Sequence, residues 1–91
     1  MSGLGQKIRE LRTARGMSQQ ALAERAQVGH SLITALESGR RRYVSAQDIE
    51  RLARGLAEPA DELWKLVPGG RSEARYISIF PGSDVEPSGV A

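Results

Sequence analysis

The apolar residues in the first three quarters of the chain recur at the three- and four-residue spacing of amphipathic helices. Leu4, Ile8 and Leu11 form one such stripe, and Gly16 follows them as a residue that readily ends a helix. Serine or proline stands at the start of later stretches, as is typical of helix starts. The pattern predicts five helices, of which three cover residues 4–15, 19–26 and 29–37, a fourth follows Ser45, and a fifth begins at Pro59.

The pattern changes after residue 67, where a Pro-Gly-Gly sequence interrupts the helical spacing. We therefore assign residues 1–67 to one helical domain and residues 68–91 to a tail. Residues 74–80 are rich in strand formers and predict a short strand. The residues after it are polar and include proline and glycine, which is typical of disordered termini. The predicted fold class is all-α, with a tail that contributes one short strand.

The composition excludes most kinds of metal and redox site. The 91 residues include no cysteine and one histidine, His30, which excludes disulfides, thiolate metal sites and multi-histidine sites. We expect no metal and no cofactor. No apolar run approaches the roughly 20 residues that span a bilayer, and the first residues lack the apolar stretch of a signal peptide. The expected location is the cytoplasm.

No group of residues in the sequence predicts an enzyme. His30 and Ser31 are adjacent on a predicted helix, where successive side chains point about 100° apart. No acidic residue is placed to complete a catalytic triad with them, and no glycine-rich phosphate-binding motif occurs. We expect a binding protein without catalytic activity.

The second and third predicted helices are short and joined by a tight turn, which is the arrangement of helix-turn-helix DNA-binding motifs. On the third helix, Leu32, Ile33 and Leu36 share the inner side. The opposite side is small and polar, with no acidic residue at its centre, so it can approach base edges without repelling phosphate. The alternative is that this side is only the solvated face of an amphipathic helix. The residues predicted to contact bases are His30, Ser31, Thr34 and Ala35.

Positive charge is concentrated just after the third helix. The net charge is only +2, but Arg40, Arg41 and Arg42 are consecutive, and Tyr43 follows them. The forked donors of arginine suit phosphate, so we predict phosphate contacts here, with one arginine reaching the minor groove. The alternative is an ordinary solvated loop. Of the 13 basic residues only Lys7 and Lys65 are lysine, and this preference for arginine can equally reflect a GC-rich genome.

These features together resemble the phage repressor and Cro-type helix-turn-helix proteins, also called the xenobiotic-response-element family. The resemblance covers residues 4–67. It implies a five-helix, lambda-repressor-like domain that binds double-stranded DNA through its third helix and regulates transcription. A repressor is expected, because so short a chain has little surface for recruiting polymerase. The matching residues are Ile8, Leu11, Arg12, Gly16, Ser18, Gln19, Leu22, Ala23, Val28, Ile33, Leu36, Glu37 and Gly39, then Ile49, Leu52, Ala53, Leu56 and Leu63.

The resemblance also implies roles for matched residues that touch DNA. Gln19 matches a glutamine that binds a backbone phosphate and braces the first base-contacting residue, here His30. Ser38 and Arg40 match phosphate-binding positions. The outward residues at the middle of the third helix include no Arg, Asn or Gln, so bidentate base contacts are not expected there. Specificity is expected from His30, from methyl contacts and from DNA shape.

Two further matched residues have a structural role, and two other positions differ from the residues that the family often has there. Arg12 and Glu37 match an internal ion pair that joins the first helix to the third. Gln27 stands where the family often has glycine, so a slightly different turn is expected. Gly29 stands where the family often has serine or threonine, and it supplies no side-chain cap.

One such domain covers half an operator, so we expect a homodimer with its two third helices about 34 Å apart. The end of the fifth helix and the tail strand are the candidate interface regions. Alternatively, the tail packs on its own domain, binds nothing, or binds a partner protein, as in an antitoxin or anti-regulator that represses its own operon. A neighbouring toxin gene, or the nuclease and methylase genes of a restriction–modification system, would distinguish these. The predicted interface residues are Trp64, Tyr76, Ile77, Ile79 and Phe80.

Overall fold

The computed structural model describes residues 3–71 and 77–79. Within these ranges the chain forms five helices and one two-stranded sheet, which confirms the all-α prediction with one short tail strand. None of the helices in these ranges has the length and apolar character needed to cross a membrane. In chain order the elements are α1 (Leu4–Ala14), α2 (Gln19–Ala26), α3 (His30–Glu37), β1 (Tyr43–Val44), α4 (Ala46–Leu56), α5 (Ala60–Trp64) and β2 (Ile77–Ser78).

The apolar stripes of the five helices meet in one core. Helix α2 packs against α4, and α3 packs against both α1 and α2. Leu32, Ile33 and Leu36 are buried, as the helical spacing predicts, so the inner side of α3 is held while its other side faces outward. The side chains with almost no exposure are Leu4, Ile8, Leu22, Ile33, Val44, Ile49, Leu52, Leu56 and Leu63.

Side-chain caps define the starts of α2 and α4 where the sequence predicts them. The Oγ of Ser18 accepts a hydrogen bond from the backbone N–H of Ala21 at 3.0 Å. At α4, the Oγ of Ser45 accepts from the N–H of Asp48 at 3.0 Å, and the Asp48 carboxylate accepts from the N–H of Ser45 at 3.3 Å. Each cap satisfies N–H groups that a helix start leaves unpaired.

Two glycines permit close contacts between helices. A Cβ added to Gly5 of α1 would lie 1.9 Å from the carbonyl oxygen of Leu36 in α3. A Cβ added to Gly55 of α4 would lie 2.8 to 2.9 Å from atoms of Ala26 in α2. Real Cβ atoms essentially never come so close to other atoms, so both helix pairs depend on glycine. Neither requirement is visible in the local sequence pattern.

The tail strand packs against its own domain. Strand β2 pairs with β1 in an antiparallel arrangement, with Val44 opposite Ile77. The N–H of Ile79 also donates to the carbonyl of Arg42 at 2.9 Å. For residues 77–79 the structure therefore shows the alternative in which the tail folds back. Strand β1 lies where the sequence predicts only a loop.

Three of the predicted interface residues are buried in their own chain. Ile77 and Ile79 are each 6% exposed and Trp64 is 4% exposed. The indole Nε1 of Trp64 donates to Glu50 at 3.1 Å, and the guanidinium of Arg71 lies 5.2 Å from the centre of its ring. These side chains have little surface left for a partner, so the arrangement does not support an interface built on them. The predictions for Tyr76, Phe80 and the end of the tail concern residues outside the described ranges.

Candidate nucleic-acid interface

Helices α2 and α3 and the turn between them form the predicted recognition unit. The turn is closed by a hydrogen bond from the N–H of Val28 to the carbonyl of Ala23 at 3.1 Å. Gln27 has a φ of 60°, which is the left-handed conformation that glycine adopts most easily. The glutamine thus takes the conformation that favours glycine, and no altered turn is needed to accommodate it.

The four residues predicted to contact bases lie together on the outer side of α3. His30 and Ser31 are exposed, whereas Thr34 and Ala35 are half-buried. Gly29 precedes the helix with an extended backbone and no side-chain cap. The outer side therefore carries small, mostly polar side chains, which leave room for the close approach of a partner.

The loop after α3 is anchored to the end of that helix. The N–H groups of Arg40 and Arg41 donate to the carbonyl of Ala35 at 2.9 and 3.1 Å. Arg40 Nε donates to Ser38 Oγ at 3.2 Å, and Arg41 Nε donates to the carbonyl of Tyr43 at 2.7 Å. The side chains of residues 40–43 are exposed. Consequently, Ser38 and the predicted phosphate-binding arginines at positions 40–42 lie together directly after the end of α3, where the arginines form a basic surface.

Arg12 and Glu37 form the internal ion pair that the resemblance implies. Arg12 donates from Nε to Glu37 Oε2 at 2.7 Å and from Nη2 to Glu37 Oε1 at 2.8 Å. Its Nη1 donates to the carbonyl of Met17 at 2.8 Å. The two side chains are 12% and 2% exposed. This bidentate pair fixes α1 to the end of α3 and to the start of the α2 region.

The environment of Glu37 favours its charged form. Burial raises the pKa of the Glu37 carboxyl, but hydrogen bonds from Arg12 and Gln19 and the positive charges of Arg12 and Arg9 outweigh this, so the pKa lies below its ordinary value. The hydrogen bond to Glu37 raises the pKa of the Arg12 guanidinium, against the effect of desolvation. The ion pair is therefore present throughout the neutral pH range.

Gln19 is held between Glu37 and the outer side of α3. Its Nε2 donates to Glu37 Oε1 at 3.1 Å, and its Oε1 accepts from the hydroxyl of Thr34 at 3.3 Å. Gln19 therefore braces Thr34, whereas the resemblance implies that it braces His30. The amide nitrogen has a second hydrogen that can serve a phosphate.

We expect the stability that Glu37 contributes to disappear in acid. Its pKa is lowered in the folded chain, relative to about 4.3 in an unfolded chain. Its contribution is thus present above the unfolded value and is lost as the pH falls through the folded pKa. Urea unfolding of the wild type and of Glu37→Gln, from about pH 7 to about pH 3, measures this loss. The wild type should have the larger free energy of unfolding at neutral pH, and its difference from Glu37→Gln should shrink in acid. A difference that stays constant would contradict the lowered pKa of Glu37.

A comparison with known families identifies the arrangement. The family model described as "Helix-turn-helix domain" matches residues 3–66. The chain belongs to the helix-turn-helix domain family. The resemblance to Cro-type helix-turn-helix proteins is thereby confirmed. This helix-turn-helix protein is a sequence-specific DNA-binding regulator.

Solved structures give the same fold. The helix-turn-helix protein is similar to the restriction-modification controller protein C.AhdI from Aeromonas hydrophila, at 42% identity over 66% of this chain and 89% of that chain, with a TM-score of 0.62. It is similar in fold to the restriction-modification controller protein C.Esp1396I, at 21% identity over 68% of this chain and 79% of that chain, with a TM-score of 0.61. No curated protein matches it.

Sequence reasoning missed the contacts that link the interface residues to each other. Gln19 and Thr34 were both predicted to touch DNA, but their mutual hydrogen bond was not predicted. The carbonyl of Met17, which Arg12 binds, was also missed. Helical spacing shows which side of its own helix a residue occupies, and it gives no signal for a contact between two helices.

Proposed function

We propose that this helix-turn-helix protein controls transcription of a restriction–modification gene cluster, as a repressor that binds its operator as a homodimer. The observation that supports the proposal is 42% identity to the restriction-modification controller protein C.AhdI, over 89% of that chain. In this proposal the protein works in the cytoplasm and carries out no catalysis.

The proposed complex places α3 in the major groove of DNA, which is wide enough for a helix. The residues that contact base edges are His30, Ser31, Thr34 and Ala35. Their shared position on the outer side of α3 supports this role. Ser38 and the arginines at positions 40–42 contact phosphates beside the groove. Phosphate contacts fix orientation and add affinity without reading the sequence. Gln19 adds a phosphate contact at the start of α2, where helix N–H groups also favour an anion.

The homodimer is proposed from the geometry of DNA. One α3 covers half of an operator, and two copies related by a twofold axis place their third helices in successive major grooves, about 34 Å apart. Trp64, Ile77 and Ile79 are buried in their own chain, so the proposal does not rest on those side chains.

Arg41→Ala is expected to weaken binding to every duplex by a similar factor, because Arg41 contacts phosphate in the proposed complex. The plot of log affinity against log salt should become shallower by about 0.9, the value for one phosphate. Titration of two unrelated duplexes across a salt series measures both effects. Arg54→Ala, which removes an exposed arginine from α4, is the matched control and should leave the slope unchanged. A change in preference between the duplexes would contradict the phosphate role.

Gene neighbourhood and a footprint test the proposal as a whole. We expect nuclease and methyltransferase genes beside the gene for this chain. On the intergenic DNA we expect two protected half-sites whose centres lie about 10 base pairs, or a multiple of that spacing, apart. A small toxin gene, together with binding of its product to the tail, would replace this proposal with the antitoxin alternative. Protection of a single half-site by a monomer would overturn the dimer.

A further inference from the structure

A chain of hydrogen bonds runs from the buried ion pair to the outer side of α3. Arg12 has donors only, and an ionised carboxylate has acceptors only, so the direction of the bonds between Arg12 and Glu37 is fixed. Glu37 Oε1 also accepts from the Gln19 amide at 3.1 Å. Because Glu37 cannot donate, the nitrogen of this amide must be the end that faces it.

The orientation of Gln19 then sets the orientation of the Thr34 hydroxyl. With the amide nitrogen facing Glu37, the amide oxygen faces Thr34 Oγ1 at 3.3 Å. The carbonyl oxygen of His30 is the other neighbour, at 3.2 Å. Both neighbours accept hydrogen bonds and neither can donate. The single hydrogen of the Thr34 hydroxyl is therefore donated to an acceptor of the protein itself, whichever of the two partners it uses.

The Thr34 hydroxyl can form a further hydrogen bond only as an acceptor, through its remaining lone pairs. Ser31 differs, because its exposed Oγ has no hydrogen-bond partner among residues 3–71 and 77–79. The Ser31 hydroxyl can rotate, and it can donate or accept as a bound base requires. The two hydroxyls on the outer side of α3 thus differ in what they can recognise.

We propose that Thr34 is a specificity-determining residue that acts only as an acceptor, and that it selects a base with an exocyclic amino group in the major groove. Adenine presents such a group at N6 and cytosine at N4, whereas guanine O6 and thymine O4 are acceptors. An acceptor facing O6 or O4 leaves both oxygens without a partner, so guanine and thymine are disfavoured at this position. The inference rests on the proposed placement of α3 in the major groove.

The test removes one amino group at a time from a bound duplex. A preferred sequence is first selected from randomised duplexes with the full chain. Each adenine of a half-site is then replaced by purine, which lacks the N6 amino group, and each cytosine by 2-pyrimidinone, which lacks the N4 amino group. Affinities are measured for the wild type, for Thr34→Val, which keeps the shape but removes the hydroxyl, and for Ser31→Ala as the matched control.

At one position, loss of the amino group should weaken wild-type binding about three- to tenfold, the range for one hydrogen bond. The same replacement should have no effect on Thr34→Val. It should have its full effect on Ser31→Ala and on a third variant, Thr34→Ser, which keeps a hydroxyl at this position. Folding of each variant is checked by thermal unfolding. The proposal is overturned if no amino group is coupled to Thr34, that is, if every replacement changes the affinities of the wild type and of Thr34→Val by the same factor. Failure of the selection to enrich any sequence would instead count against the proposed function.

Discussion

Gly5→Ala should destabilise the domain by about 3 kcal/mol, near the upper end of the range for overpacking. The added Cβ would lie 1.9 Å from the carbonyl oxygen of Leu36 and 2.7 Å from its carbonyl carbon. Both are backbone atoms of α3, so no side-chain rotation can relieve the contact. Helices α1 and α3 must separate, which disturbs the core around Leu4 and Ile8. Urea unfolding of the variant at neutral pH measures the loss.

Gly3→Ser is the matched control for this prediction. It adds a Cβ two residues earlier in the chain, where no atom lies within 4 Å. It also supplies a side-chain acceptor at the start of α1, which has no side-chain cap. Its stability should equal or slightly exceed that of the wild type. If Gly5→Ala unfolded at the same urea concentration as Gly3→Ser, this would contradict the close approach of Gly5 in α1 to the backbone of Leu36 in α3.

Arg12→Met is the second prediction with a large effect, and we expect a loss of about 3 kcal/mol, as for a buried ion pair that loses one partner. Methionine replaces much of the volume of the arginine stem but leaves the Glu37 carboxylate, which is 2% exposed, without its main partner. Gln19 and Arg9 still face Glu37, so the loss lies at the lower end of the range. The change should also loosen the contact between α1 and α3, seen as faster amide exchange at the end of α3.

A double variant separates the cost of an unpaired charge from the value of the pair. Arg12→Met with Glu37→Leu removes both charges, and we expect it to be more stable than Arg12→Met alone. Arg15→Ala breaks the Arg15–Glu58 pair on the surface and should cost less than about 1 kcal/mol. Equal losses for Arg15→Ala and Arg12→Met would show that burial of the pair has no energetic consequence.

Much of the fold follows from local features of the sequence. The stripe that contains Leu4 and Ile8, and the caps at Ser18 and Ser45, act within one or two helical turns. Such signals depend only on neighbouring residues, which is why the five helices were predicted close to their observed positions. The outer side of α3 was predicted for the same reason, since one helical repeat determines which residues share a side.

Other features depend on contacts between distant segments, and the sequence carried no local signal for them. The pairing of β1 with β2 joins residues more than thirty positions apart, such as Val44 and Ile77. Trp64 is an aromatic residue near the end of a helix, which suits a dimer interface, but Glu50 and Arg71 enclose it within its own chain. The bracing of Thr34 by Gln19 is likewise a contact between two helices.

Binding of the purified full chain to the DNA upstream of its own gene tests the central claim most directly. The comparison is a scrambled duplex of equal length and composition, and both are titrated at a low and a high salt concentration. A protein that contacts bases through α3 should prefer the upstream DNA, and the preference should remain when higher salt weakens the phosphate contacts of both duplexes. Equal affinities that fall together with salt would contradict base recognition by α3 at this operator.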